Sequence, residues 1–187
     1  LLADFKPNLK LLNLGNCRLN ENHFSEFSKL QKLESLQLVD ENITPSSFIL
    51  IFEHPSLTTL ELIQCRISLP ARVGPLNLLS LNLTKVYLSS EGDLELLFSA
   101  CSCLIMLSCH TMPHLKIAFI ANPEKIESLS LDSYVLELEF ADKASLSAMD
   151  RFRRLKELTL IGVPSATLKH ALLSYQSKFK IIIKTNL

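Results

Sequence analysis

Leucine recurs along this chain at intervals that few folds can accommodate. The pattern L-x-x-L-x-L starts at residues 9, 33, 57, 78, 104, 126 and 155, with Ile126 and Cys109 each standing in place of one leucine. A degraded eighth copy is the apolar run Ile181–Ile183. Successive copies are 21 to 29 residues apart. A period of roughly 20 to 29 residues is typical of arrays in which each copy forms one structural unit stacked on its neighbours.

Each copy predicts a strand followed by a helix or turn. The two leucines of L-x-L point to one side of a strand and the residue between them to the other. The segments between strands carry apolar residues three and four apart, as a helix packed on a core requires. Three such segments are residues 21–30, 45–52 and 91–100. Their expected N-caps are Asn20, Thr44 and either Ser89 or Ser90.

These units predict an α/β fold in which residues 1–187 form a single domain of about eight repeats. Stacking gives a right-handed βα superhelix with a parallel sheet on the concave side and helices or short turns on the convex side. Two segments depart from the pattern. Ser68–Pro75 contains two prolines and a glycine, which predicts an extended segment or short turn. Ser133–Met149 belongs to the longest repeat, where we expect an extra loop or an irregular strand at Val135–Phe140.

Composition disfavours several classes of function. Lys and Arg together number 19, as do Asp and Glu, so there is no overall basic field for nucleic acid. Apolar runs are far shorter than the roughly 20 residues of a membrane span, so we expect no membrane insertion. Five cysteines at irregular spacing do not suggest disulfides, which favours the cytoplasm or nucleus. Because the chain begins on Leu1 and Leu2 and ends without a closing signal, we expect a monomeric repeat domain within a larger chain or complex.

One cluster of residues has the chemistry of a zinc site. Its members are Cys101, Cys103, Cys109, His110 and His114. The structural alternative is stronger, because Cys109 replaces a core leucine, and adjacent Cys109 and His110 should face opposite sides of a strand. No phosphate-binding, metalloprotease or hydrolase motif occurs. We therefore predict no metal, no cofactor and no enzymatic activity.

The residues between and beside the strand leucines are the expected binding surface, because geometry places them on the concave face. The face is small, polar and nearly uncharged, so a protein or peptide can hydrogen-bond to it at little desolvation cost. The predicted partner-binding residues are Gln37, Thr59, Glu61, Ile63, Asn82, Thr84, Met106, Ser108, His110, Ser130, Asp132 and Glu157. Asn13, Ser35, Val39, Ser80, Ser128, Thr159 and Ile161 share this face. The alternative is a solvated face, with the partner on the convex side or at the ends.

The pattern L-x-x-L-x-L-x-x-C-x-L of residues 9–19, and its copies as far as Ile183, resemble the leucine-rich-repeat family. That resemblance implies that Cys17 and Cys65, at the ninth position, stack beneath the turns and tie neighbouring backbones together. Residues 78–107 resemble the irregular repeats of F-box/leucine-rich-repeat proteins. This implies substrate recognition for a ubiquitin ligase. Other classes left open are the ligand-sensing domain of an immune or signalling receptor, a bacterial effector that imitates host repeats, and a regulator of a small GTPase.

Overall fold

A parallel eight-stranded sheet dominates the computed structural model, which describes residues 8–88, 90–112, 115–143 and 146–185. The apolar pair Leu1 and Leu2, the candidate cap Ser89 and the candidate ligand His114 lie outside these ranges. The long strands are β1 (Leu11–Gly15), β2 (Ser35–Val39), β4 (Thr59–Ile63), β6 (Ser80–Thr84), β8 (Met106–His110), β9 (Ser128–Asp132), β10 (Glu157–Ile161) and β11 (Lys180–Lys184). Each pairs with the next long strand along the chain, and the sheet stays open, with β1 and β11 at its edges.

The strand register is the one that the repeat predicts. The first leucine of each inner pair lies directly opposite its counterpart in the next copy. This row consists of Leu12, Leu36, Leu60, Leu81, Leu107, Leu129, Leu158 and Ile181. In the strands between the edges these leucines are almost fully buried, while most of the alternating residues are half-exposed. One face of the sheet therefore belongs to the core. We call the opposite face the open face.

Helices cover the leucine side of the sheet. They are α1 (Glu21–Phe27), α2 (Pro45–Phe52), α3 (Glu91–Ala100), α4 (Ser133–Lys143) and α5 (Ala166–Leu173). Single 3-10 turns occur at Ile117–Phe119, Pro123–Lys125 and Ser147–Arg151. The predicted caps Asn20, Thr44 and Ser90 each accept a hydrogen bond from a backbone N–H in the first turn. Buried helical residues such as Phe24, Phe48 and Leu97 join the strand leucines in one hydrophobic cluster.

Short strands after the turns form a second sheet. They are β3 (Asn42–Ile43), β5 (Arg66–Ile67) and β7 (Tyr87–Leu88), paired in parallel in that order. After β5, residues 68–75 contain no helix or strand, in agreement with the prediction that the prolines prevent a helix there.

The segment after β9 differs from its prediction. Residues 133–143 form helix α4 instead of an extra loop or strand, so the expected strand at Val135–Phe140 was wrong. Val135, Leu136 and Glu139 are buried, and Phe140 is half-buried. Positions three and four apart share one face of a helix, whereas a strand would bury alternate residues.

Candidate partner-binding face

All twelve predicted binding residues lie on the open face of the sheet. They are contributed by β2, β4, β6, β8, β9 and β10, at the first, third or fifth position of each strand. Because the strands are paired in register, these positions form three rows across the sheet. The middle row includes Gln37, Glu61, Asn82, Ser108 and Ser130. The fold therefore collects residues that are far apart in sequence on one surface.

Glu61 organises the first half of the middle row. Its carboxylate accepts hydrogen bonds from Gln37 Nε2 at 2.5 Å and from Asn82 Nδ2 at 2.7 Å. The Asn82 amide oxygen in turn accepts from the Thr84 hydroxyl at 3.1 Å. A carboxylate that receives two amide donors from neighbouring strands is held in one orientation. This half of the face is a preorganised polar network.

A second network surrounds His110. The Ser108 and Ser130 hydroxyls lie 2.9 and 3.1 Å from its Nε2. Its Nδ1 lies 3.5 Å from Asp132 Oδ1, which is at the outer limit of hydrogen-bonding distance, and makes no well-directed hydrogen bond with the described residues. Burial lowers the pKa of His110, although the Asp132 carboxylate opposes that effect. The ring is therefore uncharged near neutral pH.

A hydroxyl, an imidazole and a carboxylate lie next to one another at this site, and these are the three side-chain groups of a serine hydrolase triad. Such catalysis also needs N–H donors aimed at the developing oxyanion. The backbone N–H groups of β8 and β9 are committed to parallel pairing with neighbouring strands. These strand N–H groups are therefore not free to act as oxyanion donors.

Exposure varies across the open face. Met106 is 50% exposed, whereas Thr159, which the sequence places on this face, is only 6% exposed between its neighbours.

The charge of the open face changes towards its last strand, β11. The degraded repeat forms β11, whose Lys180 and Lys184 occupy the same rows as Glu157 and Ile161. Lys180 Nζ lies 3.4 Å from Glu157 Oε2. The sequence pattern did not include these lysines in the face, because the eighth copy lacks leucines.

Cys101, Cys103, Cys109 and His110, the described members of the cysteine and histidine cluster, do not converge on a metal site. Cys109 is fully buried and His110 faces the opposite side of the strand, as predicted. Burial raises the pKa of Cys101 to about 12 and also raises that of Cys109, so both thiols are protonated near neutral pH. Cys103 is exposed. Within the described ranges no group of three or more His, Cys, Asp or Glu side chains could hold a metal ion.

The ninth position of the repeat has two different roles. Cys65 is buried, and its thiol lies 3.4 Å from the carbonyl oxygens of Leu38 and Ile63, as expected of a structural residue that links units. Cys17 is exposed, and Gly15 O is the one acceptor that its thiol reaches among the described residues, where its unit is at the edge of the sheet. Its predicted role of tying neighbouring units together was therefore wrong. Glu41 performs that role for the first two units, accepting hydrogen bonds from the N–H groups of Cys17 and Leu19 at 2.7 and 2.8 Å.

Two exposed apolar residues beside the open face were not among the predicted binding residues. Leu79 and Ile105, which immediately precede β6 and β8, are 41% and 37% exposed. Both stand at the second position of L-x-x-L-x-L, which the repeat leaves undefined.

Elsewhere, an open depression of about 550 Å³ lies among Asn122, Arg151, Arg153 and their neighbours.

Comparisons with known proteins add no functional assignment. No protein-family model matches the chain, and no curated protein matches it either. Among the described helices, none is long and apolar enough to cross a membrane.

Proposed function

We propose that this chain is a leucine-rich-repeat solenoid that binds a protein or peptide partner through its open face and performs no catalysis. The observation that carries the proposal is the arrangement of side chains on that face. The strands, paired in register, present rows of mostly half-exposed residues, many of them polar, on a rigid hydrogen-bonded backbone. In a solenoid this sheet lines the concave surface, which is long enough for an extended segment of another protein.

The two hydrogen-bonded networks support this interpretation. Glu61 and His110 hold their neighbours in defined orientations before any partner arrives. Side chains that are already ordered lose less conformational entropy on association than mobile ones do. The face combines these polar groups with half-exposed apolar residues such as Ile63, a mixture typical of interfaces between proteins. Nucleic acid is a poorer fit, because Glu61, Asp132 and Glu157 lie on this face.

A substitution pair can test the open face without disturbing the core. We choose Ile63→Arg with Thr84→Arg, since both residues are half-exposed and the Thr84 side chain makes one hydrogen bond with the described residues, to Asn82. Two added cations should weaken binding of the peptides that wild-type protein selects from a random displayed library by at least about tenfold, or ~1.4 kcal/mol. The melting transition measured by circular dichroism should stay close to that of the wild type.

Glu95→Arg is the matched control, because Glu95 is exposed on α3, on the covered side of the sheet. It should leave peptide binding unchanged. Loss of binding in this control, together with full binding by the double variant, would assign the partner to the helical side. A random library that yields no binder at all would contradict the proposed function.

Substrate recognition for a cullin-based ubiquitin ligase, in the cytoplasm or nucleus, is a narrower form of the same proposal. It rests on the resemblance of residues 78–107 to F-box/leucine-rich-repeat proteins. Co-purification of the natural full-length protein with ligase subunits would test it.

A further inference from the structure

Glu61 lies in the middle row of the open face, at the third position of β4. Its two carboxylate oxygens each accept one amide hydrogen bond, Oε2 from Gln37 on β2 and Oε1 from Asn82 on β6. A carboxylate has about four acceptor positions, so about two remain for a ligand. The side chain is half-exposed, so a partner can reach those positions.

The two neighbouring amides have a fixed orientation. A carboxylate without a proton only accepts hydrogen bonds, so each amide turns its nitrogen towards Glu61 and its oxygen away. The Asn82 oxygen accepts from Thr84 Oγ1 at 3.1 Å. The Gln37 oxygen receives no hydrogen bond from the described residues. A ligand that brings several donors therefore matches the acceptors that remain.

The negative charge of Glu61 has no partner cation on this part of the protein. No Lys, Arg or His among the described residues forms an ion pair with it. The open-face positions of the long strands from β1 to β9 contain no Lys or Arg. Lysines occur on β11, five strand steps or about 24 Å from β4, and Lys180 there pairs with Glu157. A cationic group of a partner would complement Glu61.

Asp132 is a poorer site for such a group. Its side chain is only 14% exposed, and its carboxylate accepts from Thr111 N and lies 3.5 Å from His110 Nδ1. Burial and, more weakly, Lys184 lower the pKa of His110, while Asp132 opposes them. The charge of Lys184 therefore already acts at this end of the face, and Glu61 is the carboxylate that remains available.

Val39 and Ile63 form an apolar border on one side of Glu61. They lie opposite each other in register, two residues after Gln37 and Glu61, and both are half-exposed on the open face. Long cationic side chains bury their methylene groups against apolar neighbours while the charged end makes hydrogen bonds. The border therefore favours a lysine or arginine side chain over a small inorganic cation.

We propose that Glu61 is the recognition site for an arginine side chain of the protein segment that binds the open face. The guanidinium donates to the remaining positions of the Glu61 carboxylate and to the Gln37 oxygen, and its methylene groups pack on Val39 and Ile63. Arginine fits better than lysine, because its planar group can donate to both carboxylate oxygens at once. This inference rests on the proposed binding function and assigns it a partner chemistry.

Other occupants fit the site less well. Ca²⁺ and Mg²⁺ take about six or more oxygen ligands. Among the described residues, no group of three or more His, Cys, Asp or Glu side chains could hold a metal ion. A nucleic acid would bring phosphates towards the Glu61 carboxylate, which repels them.

Displayed peptide libraries that differ in one fixed residue test the proposal. Each library has Arg, Lys, Gln or Glu at its central position and random uncharged residues elsewhere. Wild-type protein should enrich the arginine library at least about tenfold over the glutamine library, with lysine between them and glutamate lowest. Equal enrichment of the arginine and glutamine libraries would overturn the proposal. Equal enrichment of lysine and arginine would overturn the assignment to a guanidinium.

Two changes of Glu61 locate the site. Glu61→Gln removes the charge but keeps the shape, and should reduce the preference for arginine over glutamine to less than about twofold. Glu61→Lys should reverse the preference, so that the glutamate library is enriched over the arginine library. Reversal distinguishes recognition of charge from a structural role, because a damaged surface would lose all libraries alike. A wild-type preference in Glu61→Gln would overturn the site.

Glu157→Gln is the matched control on the same face. Glu157 is already paired, with Lys180 Nζ at 3.4 Å, so the same substitution should keep the preference for arginine. Circular dichroism should show that all three variants are folded. Loss of the preference in this control together with its retention in Glu61→Gln would assign the arginine to the other end of the face.

These outcomes separate this proposal from the proposed function. If a random library yields binders that are lost in the Ile63→Arg and Thr84→Arg variant but show no preference for arginine, the binding function stands and the Glu61 proposal fails. If no library yields a binder, both fail.

Discussion

At the scale of single residues, the turns after the long strands depend on an uncommon backbone conformation. Gln64, Lys85 and Thr111 have φ values of 56°, 53° and 56°. Side chains other than glycine enter this left-handed region at a cost of about 1 to 3 kcal/mol each. A hydrogen bond to the neighbouring unit offsets part of that cost: Gln64 N donates to Thr84 O, and Lys85 N to His110 O, both at 2.8 Å. Gly162, with φ of 99°, and Asn16 and Asp40, with φ of 54° and 58°, are of residue types that favour such a turn, but Gln64, Lys85 and Thr111 are not.

Glu41 provides a prediction at this scale. Its buried carboxylate receives two backbone N–H groups from the preceding unit. In Glu41→Gln one of those N–H groups faces an amide nitrogen that cannot accept, so the free energy of unfolding should fall by about 1 to 3 kcal/mol. Urea denaturation followed by circular dichroism measures this loss.

Glu34→Gln is the matched control. Glu34 is exposed and pairs with Lys10 at the surface, so the same substitution should change the free energy of unfolding by less than about 1 kcal/mol. Equal losses in the two variants would contradict the linking role of Glu41.

At the scale of elements, the difference between central and edge strands determines how much each leucine contributes. Leu60 and Leu12 occupy the same repeat position, but Leu60 is fully buried in β4, whereas Leu12 in the edge strand β1 is half-buried. Leu60→Ala should therefore cost about 2 to 5 kcal/mol, because the cavity is shared by three units. Leu12→Ala should cost clearly less. Denaturant melts of both variants provide the comparison, and equal losses would argue against a stack stabilised by nearest neighbours.

Helix α4 shows how an element can depart from its local pattern. Val135, Leu136 and Glu139 occupy one buried side of the helix. The charged residues between them obscured this periodicity in the sequence. The burial of Glu139 could not be predicted from its residue type, because glutamate is usually exposed. Strand β9 leads directly into the helix. In the turn after β6, Lys85 N donates to the backbone carbonyl of His110, but at the same position after β8, Thr111 N donates to the Asp132 carboxylate. The Asp132 carboxylate, at the last position of β9, therefore binds the turn after β8 and also lies beside His110.

At the scale of the whole molecule, the buried imidazole of His54 and the half-buried imidazole of His110 predict how stability depends on pH. Burial lowers the pKa values of His54 and His110 below the ordinary value of 6.5. The unfolded chain then binds more protons than the folded one as pH falls below about 6.5, so stability decreases. Melting temperatures should therefore be lower at pH 5.5 than at pH 7.5, a range above the titration of ordinary carboxylates.

Two variants examine the origin of this dependence. His54→Gln removes the more deeply buried imidazole, which is 4% exposed, and should reduce the change in melting temperature between the two pH values. His170→Gln, on the exposed side of α5, should keep the wild-type dependence. A protein that becomes more stable on acidification in this range would contradict the predicted sign.

For the seven strands of the L-x-x-L-x-L copies, the sequence alone was enough to predict the parallel order, the register and the side of the sheet that each residue faces. Strand side chains alternate with a period of two, so the L-x-L pairs assign Leu36 to the core and Gln37 to the opposite face without knowledge of any distant contact. The same local geometry predicted the caps Asn20, Thr44 and Ser90.

Only the tertiary structure decided which of those residues interact with one another. Glu61 meets Gln37 and Asn82 because strands 21 to 24 residues apart in sequence are paired in register. Leu79 and Ile105 become neighbours for the same reason, since Ile105 N donates to Leu79 O at 2.9 Å, although the repeat leaves their position undefined. Contacts between units depend on the side chains that neighbouring strands bring to the same row, and no periodicity within one unit contains that information.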